Sequence, residues 1–146
     1  MKTASVVLIV ALASVVQSSL AAQTLPNKFY GEFKLEKTDN FDEYLVAKDY
    51  GWFMRKVILL ASFTKKDVQA DNIVLGEQFQ AEGLDSEQHN VLFTYDTTKD
   101  ELTETRLQVG APEDQRDYYY YKMDGDYLVL TMGWKGVECT HFYKRV

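Results

Sequence analysis

From Val74 to the C terminus the chain is a succession of short segments in which apolar and polar residues alternate. Alternation with a period of two puts every second side chain on one face of an extended strand. Val74–Gln80, Val91–Tyr95, Leu102–Val109, Tyr118–Met123, Tyr127–Trp134 and Val137–Tyr143 therefore read as strands. Asp124-Gly125 and Lys135-Gly136 are hairpin signals, and Asp96–Asp100 and Gly110–Gln115 are polar connections of hairpin length. Parallel neighbours need a crossover of about a dozen residues or more, which none of these four connections can hold. The strands they join must run antiparallel, and no proline interrupts any of them.

The stretch before Val74 has a different rhythm. Phe29–Glu36 alternates and reads as a first strand. Asp39 and Asn40 each stand three residues before an acidic residue, Asp42 and Glu43, which is the spacing of a capped helix start. Phe41, Tyr44, Leu45 and Lys48 follow at helical spacing, and Gly51 is expected to end this helix. Trp52–Leu60 reads as a second short helix, apolar on most sides apart from Arg55 and Lys56. One strand, two helices and a long meander define an all-β chain; seven strands are delimited above, and the total is put at about eight. Such a sheet closes into a barrel or folds into a sandwich, and two short helices can cover only one end.

A chain of 146 residues with 46% hydrophobic residues can build one cored domain. A net charge of −6 argues against nucleic acid as a partner, because phosphate contacts need a basic face. Cys139 is the one cysteine, so no internal disulfide can form; it reads as a small buried residue rather than a nucleophile. There is no paired His/Cys zinc motif, no Gly-rich phosphate loop and no G-x-S-x-G. The expectation is a protein that is not an enzyme and uses no metal or cofactor. The first residues have the layout of a secretory signal peptide: Lys2, then the apolar run Val6–Val16, then small residues at Ser19 and Ala21. The reading is a leader over 1–21 and a single domain over 22–146.

Longer motifs sharpen this picture. Gly31–Leu45 (GEFKLEKTDNFDEYL) resembles the opening signature of the fatty-acid-binding protein family. Trp52–Val57 (WFMRKV) looks like its second lid helix, and Leu75–Phe79 (LGEQF) like its mid-barrel strand. Asp126–Val129, Trp134–Val137 and Cys139–Arg145 (CTHFYKR) are similar to its closing hairpin. The leader, together with the Tyr50-Gly51-Trp52 turn, most resembles the secreted nematode branch. The resemblance implies an antiparallel up-and-down β-barrel, ten-stranded in the family, with a two-helix lid as the portal. It implies a long-chain fatty acid or related lipid inside, an extracellular location and a monomer. It also implies a ligand carboxylate site at His141, Tyr143 and Tyr121, with Phe41, Tyr44, Phe53, Val57, Phe93, Tyr119 and Cys139 lining the cavity or portal. Lys48, Arg55, Lys56, Lys65 and Lys66 surround the helix pair and suggest transient contact with anionic membranes.

Three departures from the family pattern matter, the third being the leader itself, since most family members are cytosolic and carry none. Between Lys66 and Leu75 there are only eight residues, where the family has two further strands. The shortfall is about twenty residues, the size of one hairpin. Eight strands can still close a small barrel, and the alternative is an open side. The second departure is His141-Phe142-Tyr143, where the family carries Arg-x-Tyr. An imidazole loses its charge near neutral pH, which a guanidinium does not. His141 and Tyr143 face the same way on one strand, and without a ligand they would pair with each other or with water. Alternation places Tyr119 and Tyr121 inward and Tyr118 and Tyr120 outward. It places Thr105, Leu107 and Val109 inward and Arg106 outward, while His89 reads as a solvated loop residue. Two other functions fit parts of the pattern. A lipocalin-like carrier would match the leader and strand count but not the helix pair. A non-binding interaction module would match the truncated barrel.

Overall fold

The computed structural model describes residues 23–62, 65–68, 73–83 and 85–146, and for 61, 62 and 65–68 it describes the backbone alone. The expected leader lies outside the described residues. Eight strands form one antiparallel sheet: β1 (Gly31–Asp39), β2 (Lys65–Val68), β3 (Phe79–Glu82), β4 (Gln88–Asp96), β5 (Glu101–Gln108), β6 (Asp117–Asp124), β7 (Tyr127–Trp134) and β8 (Val137–Arg145). Two helices, α1 (Phe41–Ala47) and α2 (Trp52–Ser62), sit between β1 and β2. Across the sheet the order is β2-β1-β8-β7-β6-β5-β4-β3, so the meander curls until the first strand pairs with the last. The sheet does not close. Among the described residues β2 and β3 are its two edges and do not pair with each other.

The local chemistry explains most of the element ends. Lys135 and Gly136 both take positive φ, as a tight two-residue turn between Trp134 and Val137 requires. The other closing turn centres on Gly125 and Asp126, one residue later than expected, with Gly125 at positive φ. β1 begins at Gly31 rather than Phe29 and carries a bulge between Leu35 and Lys37, which lets it run on to Asp39. At the start of α1 the expected cap is not made. Asn40 holds a left-handed conformation (φ 57°) and its side chain makes no capping hydrogen bond. Asp42 and Glu43 remain in the first turn, where their charge suits the helix dipole. Gly51 does not end α1 either. Asp49, at φ 63°, ends it: its amide donates to Val46 O at 2.9 Å and the amide of Tyr50 donates to Leu45 O at 3.1 Å. This pair of bonds is a Schellman motif, with an aspartate where glycine is commonest.

Two strand assignments change. The segment Val74–Gln80 is not a continuous strand. Val74–Glu77 forms a turn, in which the Gly76 amide donates to Phe93 O at 2.8 Å, and β3 begins only at Phe79. β2 was not legible in the sequence. The core lies where the period-two pattern places it. Phe33, Leu35, Leu128, Leu130 and Met132 are buried, and Phe93 is partly buried against them. α1 packs over β7 and β8 through Phe41, Tyr44 and Leu45. Its C-terminal end is pinned by Lys48, whose Nζ lies 2.5 Å from Asp117 Oδ1 on β6 and 4.0 Å from the centroid of the Trp134 ring.

An edge strand presents unpaired backbone groups and invites pairing with another chain. A hairpin of about twenty residues inserted between Lys66 and Leu75 is expected to pair with β2 and β3. Thermal melts should show a Tm rise of about 5 °C or more, with less self-association by sedimentation. An equal Tm and equal monomer content would contradict an open edge.

Candidate functional site

The inner face of the sheet is built in rows by strand register. Tyr121 on β6 lies opposite Leu102 on β5 and Leu130 on β7, and Leu130 in turn lies opposite His141 on β8. The next row runs Glu104, Tyr119, Met132, Cys139. Because side chains alternate along each strand, both rows face the same interior, beneath α1.

His141 and Tyr143 come together as the sequence suggests. His141 Nδ1 is 3.2 Å from the Tyr143 hydroxyl, so the two are partners of one another. The His141 ring also meets the Phe41 ring of α1 edge-on, with centroids 4.3 Å apart. Burial, with the neighbouring Cys139, pushes the Tyr143 phenol up to about 12, so it is a hydrogen-bond donor at any physiological pH.

Tyr121 does not join this pair. Its hydroxyl donates to Glu104 Oε2 at 2.7 Å, and Arg106 Nε donates to the other carboxylate oxygen, Glu104 Oε1. Arg106 is therefore inward-facing, which corrects the alternation read from Thr105, Leu107 and Val109. The β5 register sets Leu102 opposite Tyr121 and Glu104 opposite Tyr119, so Leu102, Glu104 and Arg106 form the inner set. Leu107 is buried as well and breaks the alternation, while Val109 is exposed. The period-two rule failed because two oppositely charged residues neutralise each other indoors and look, in sequence, like a solvated face. The apolar Leu102 ahead of them, read together with the tyrosines of the next strand, was the signal that could have exposed them. Burial would lower the Arg106 pKa, but the adjacent Glu104 carboxylate more than offsets this and raises it.

The tyrosine run divides as expected. Tyr121 is buried and Tyr119 partly so, whereas Tyr118 and Tyr120 are exposed and stack on each other with ring centroids 6.4 Å apart. Burial and nearby carboxylates push the Tyr119 and Tyr121 phenols well above their ordinary range. Burial and Asp117 push Tyr44 the same way, with the Tyr119 hydroxyl opposing in part. Phe41, Tyr44 and Cys139 are buried and Phe93 stacks on Phe79 at 6.2 Å, so these four sit in the interior. Phe53 and Val57 do not: they are 70% and 43% exposed. His89 is not a loop residue. It is the second residue of β4 and lies 2.9 Å from Asp85 Oδ2. Among the described residues no group of three or more His, Cys, Asp and Glu side chains could hold a metal ion.

An antiparallel meander with a helix pair after its first strand and a few polar groups set into an apolar inner face defines an all-β protein of the up-and-down barrel class with a two-helix lid. No protein-family model matches the chain. The fatty acid-binding protein homolog of Ascaris suum is 43% identical over 152 positions, covering 90% of this chain and 92% of the relative. Fatty acid-binding protein homolog 1 of Caenorhabditis elegans is 39% identical over 157 positions, covering 94% and 97%. The structure of As-p18, described as an extracellular fatty acid binding protein, superposes with a TM-score of 0.72 at 41% identity, over 85% of this chain and all of that one. The chain belongs to the fatty-acid-binding protein family. The alignment lengths also measure the gap. The A. suum alignment draws on 90% of 146 residues, about 131, for its 152 positions, so about 20 of those positions have no residue here. The first C. elegans relative gives the same difference, 157 positions against about 137 residues. Its size matches the shortfall between Lys66 and Leu75.

The buried phenols and the Cys139 thiol, pushed up to about 12 by burial and then by Asp39 and Glu43, make a pH prediction. Their folded pKa values are raised, so the unfolded chain gives up its protons first. Stability from these groups is fully present below about pH 9 and is lost as pH rises towards 12. Denaturant titrations should show a flat midpoint up to about pH 9 and a steep fall above it, less steep in Tyr143→Phe. A midpoint constant to pH 11 would contradict this burial.

Proposed function

We propose that the protein is a secreted carrier of a long-chain fatty acid or similar lipid, held against the inner face of the sheet and exchanged past the helix pair. The observation that carries the reading is that inner face: apolar rows into which the paired His141–Tyr143 and Glu104–Arg106–Tyr121 groups are set, in a chain 43% identical to a fatty acid-binding protein homolog. Each methylene buried is worth about 0.8 kcal/mol, whereas an unpaired buried charge costs several kcal/mol. The apolar chain of the ligand thus supplies affinity, and the few polar groups decide which head group is tolerated. Secretion is supported by the leader-like start and by likeness to an extracellular protein.

The lid supports exchange at a lipid surface, though not through the whole basic cluster. Lys48 is committed to Asp117, and Arg55 Nε lies 3.1 Å from Asp42 Oδ1. Lys65 and Lys66 have no described side chains. What α2 offers is exposed Lys56 beside exposed Trp52, Phe53 and Leu60. Ligand transfer to vesicles should be faster when they are anionic, and Lys56→Ser with Trp52→Ser should slow it about threefold or more, as expected for losing one charge and one apolar anchor. A rate set by vesicle-independent release would reject contact transfer.

The direct test is expression of the full chain in a secretory host. Protein recovered from the medium should have an intact mass beginning at Ala22, and solvent extraction should release a long-chain lipid at close to one per protein. Retention in the cell with the leader attached would overturn secretion. A lipid-free extract, combined with no binding of added lipid, would overturn the carrier.

A further inference from the structure

Among the described residues Glu104 is the one buried carboxylate, 4% exposed, and it lies on the face where the carrier reading places the lipid. Both of its oxygens are engaged: Arg106 Nε donates to Oε1 and the Tyr121 hydroxyl to Oε2 at 2.7 Å. Arg106 is thus already matched by an internal anion, and Tyr121, one of the donors expected to greet a ligand carboxylate, is turned to the same anion. The pair is electrically neutral as it stands.

We propose that Glu104 is an internal counter-ion that sets the head-group class of the bound lipid, so that the site prefers a neutral, hydroxyl-bearing head, as in a fatty alcohol or a monoacylglycerol, to an ionised fatty acid. The proposal rests on the carrier reading and narrows it. A ligand carboxylate entering beside Glu104 would meet a like charge and would have to share Arg106 with it. Two carboxylates against one guanidinium leave a net negative charge in a low-dielectric interior. A hydroxyl head meets no such opposition. A carboxylate has about four lone-pair sites, so Glu104 can accept from a ligand hydroxyl without releasing Arg106 or Tyr121. The hydroxyl oxygen can in turn accept from another N–H or O–H on that face. The ligand-free pairing and the liganded pairing then coexist, and no buried charge is uncovered when the lipid leaves.

The test is displacement of a fluorescent apolar probe by hexadecanoic acid and by hexadecan-1-ol, at about pH 8.5 and below micellar concentration, in the wild type and in Glu104→Gln. The glutamine keeps the shape of the side chain and one acceptor oxygen for Arg106, offers its amide to a Tyr121 hydroxyl that can turn and accept, and removes the charge. The wild type is expected to bind the alcohol at least tenfold more tightly than the acid. Glu104→Gln is expected to tighten the acid at least tenfold and to shrink the alcohol's advantage by the same factor, because Arg106 is then without a resident anion. A wild type that binds the acid as tightly as the alcohol, or more tightly, overturns the proposal, as does a ratio that Glu104→Gln leaves unchanged. Should the variant fail to fold, the wild type alone decides, with the methyl ester as third ligand. The expected order is alcohol, ester, acid, and the acid in first place overturns the assignment. If no ligand displaces the probe from either protein, the carrier reading itself falls, an outcome distinct from a wrong head-group preference.

Discussion

Pairing of the first strand with the last is the contact on which the remaining architecture depends. β1 lies against β8 from Phe33–Arg145 to Asp39–Thr140. That register carries α1, which follows β1 directly, over β7 and β8 and sets Phe41 against His141. The pairing is held at its start by Arg145, whose guanidinium donates to Tyr30 O at 2.8 Å and Lys28 O at 2.5 Å and lies over the Phe33 ring. Gly31 makes this approach possible. A Cβ there would stand 2.6 Å from the Arg145 guanidinium, and the backbone holds φ +134°, which side chains other than glycine rarely adopt.

The shortfall between Lys66 and Leu75 falls at the sheet's two edges, β2 and β3, of which β2 adjoins the β1–β8 pair. Among the described residues no strand lies between those edges, and much of the apolar surface of α2 is left exposed. Trp52, Phe53 and Leu60 are 67%, 70% and 78% exposed, while Ile58 and Leu59 reach the core only in part. A contiguous apolar helix face is uncommon on a monomer and marks a contact surface. α1 is the reverse case, since Phe41, Tyr44 and Leu45 are buried and Lys48 is locked to Asp117. The lid thus has one buried, salt-bridged half above the polar groups and one half with much of its apolar surface exposed.

Much of this was legible in the sequence because period-two burial is a local property. Phe33, Leu35, Leu128, Leu130 and Met132 went to the core, and Tyr119 and Tyr121 inward, on alternation alone. What failed were placements that the apolar–polar alternation of a single segment does not set. The outward placement of Arg106 ignored a carboxylate two residues away that could follow it inside. Asn40 lost its capping role because its backbone entered a left-handed conformation. Of the residues assigned to the cavity or portal, Phe53 and Val57 are exposed on α2 rather than set in the interior. β2 is a short run of charged residues with no apolar alternation to announce it.

The central claim is that an apolar ligand is bound by the inner face although the sheet is open. Methyl-labelled protein mixed with a long-chain lipid tests it by intermolecular nuclear Overhauser effects. Contacts from the lipid methylenes to the methyl groups of Leu130 and Met132, facing His141 and Cys139 in the register, are the predicted result. Contacts confined to Met54 and Leu60 on the exposed face of α2, with none to the sheet, would contradict it.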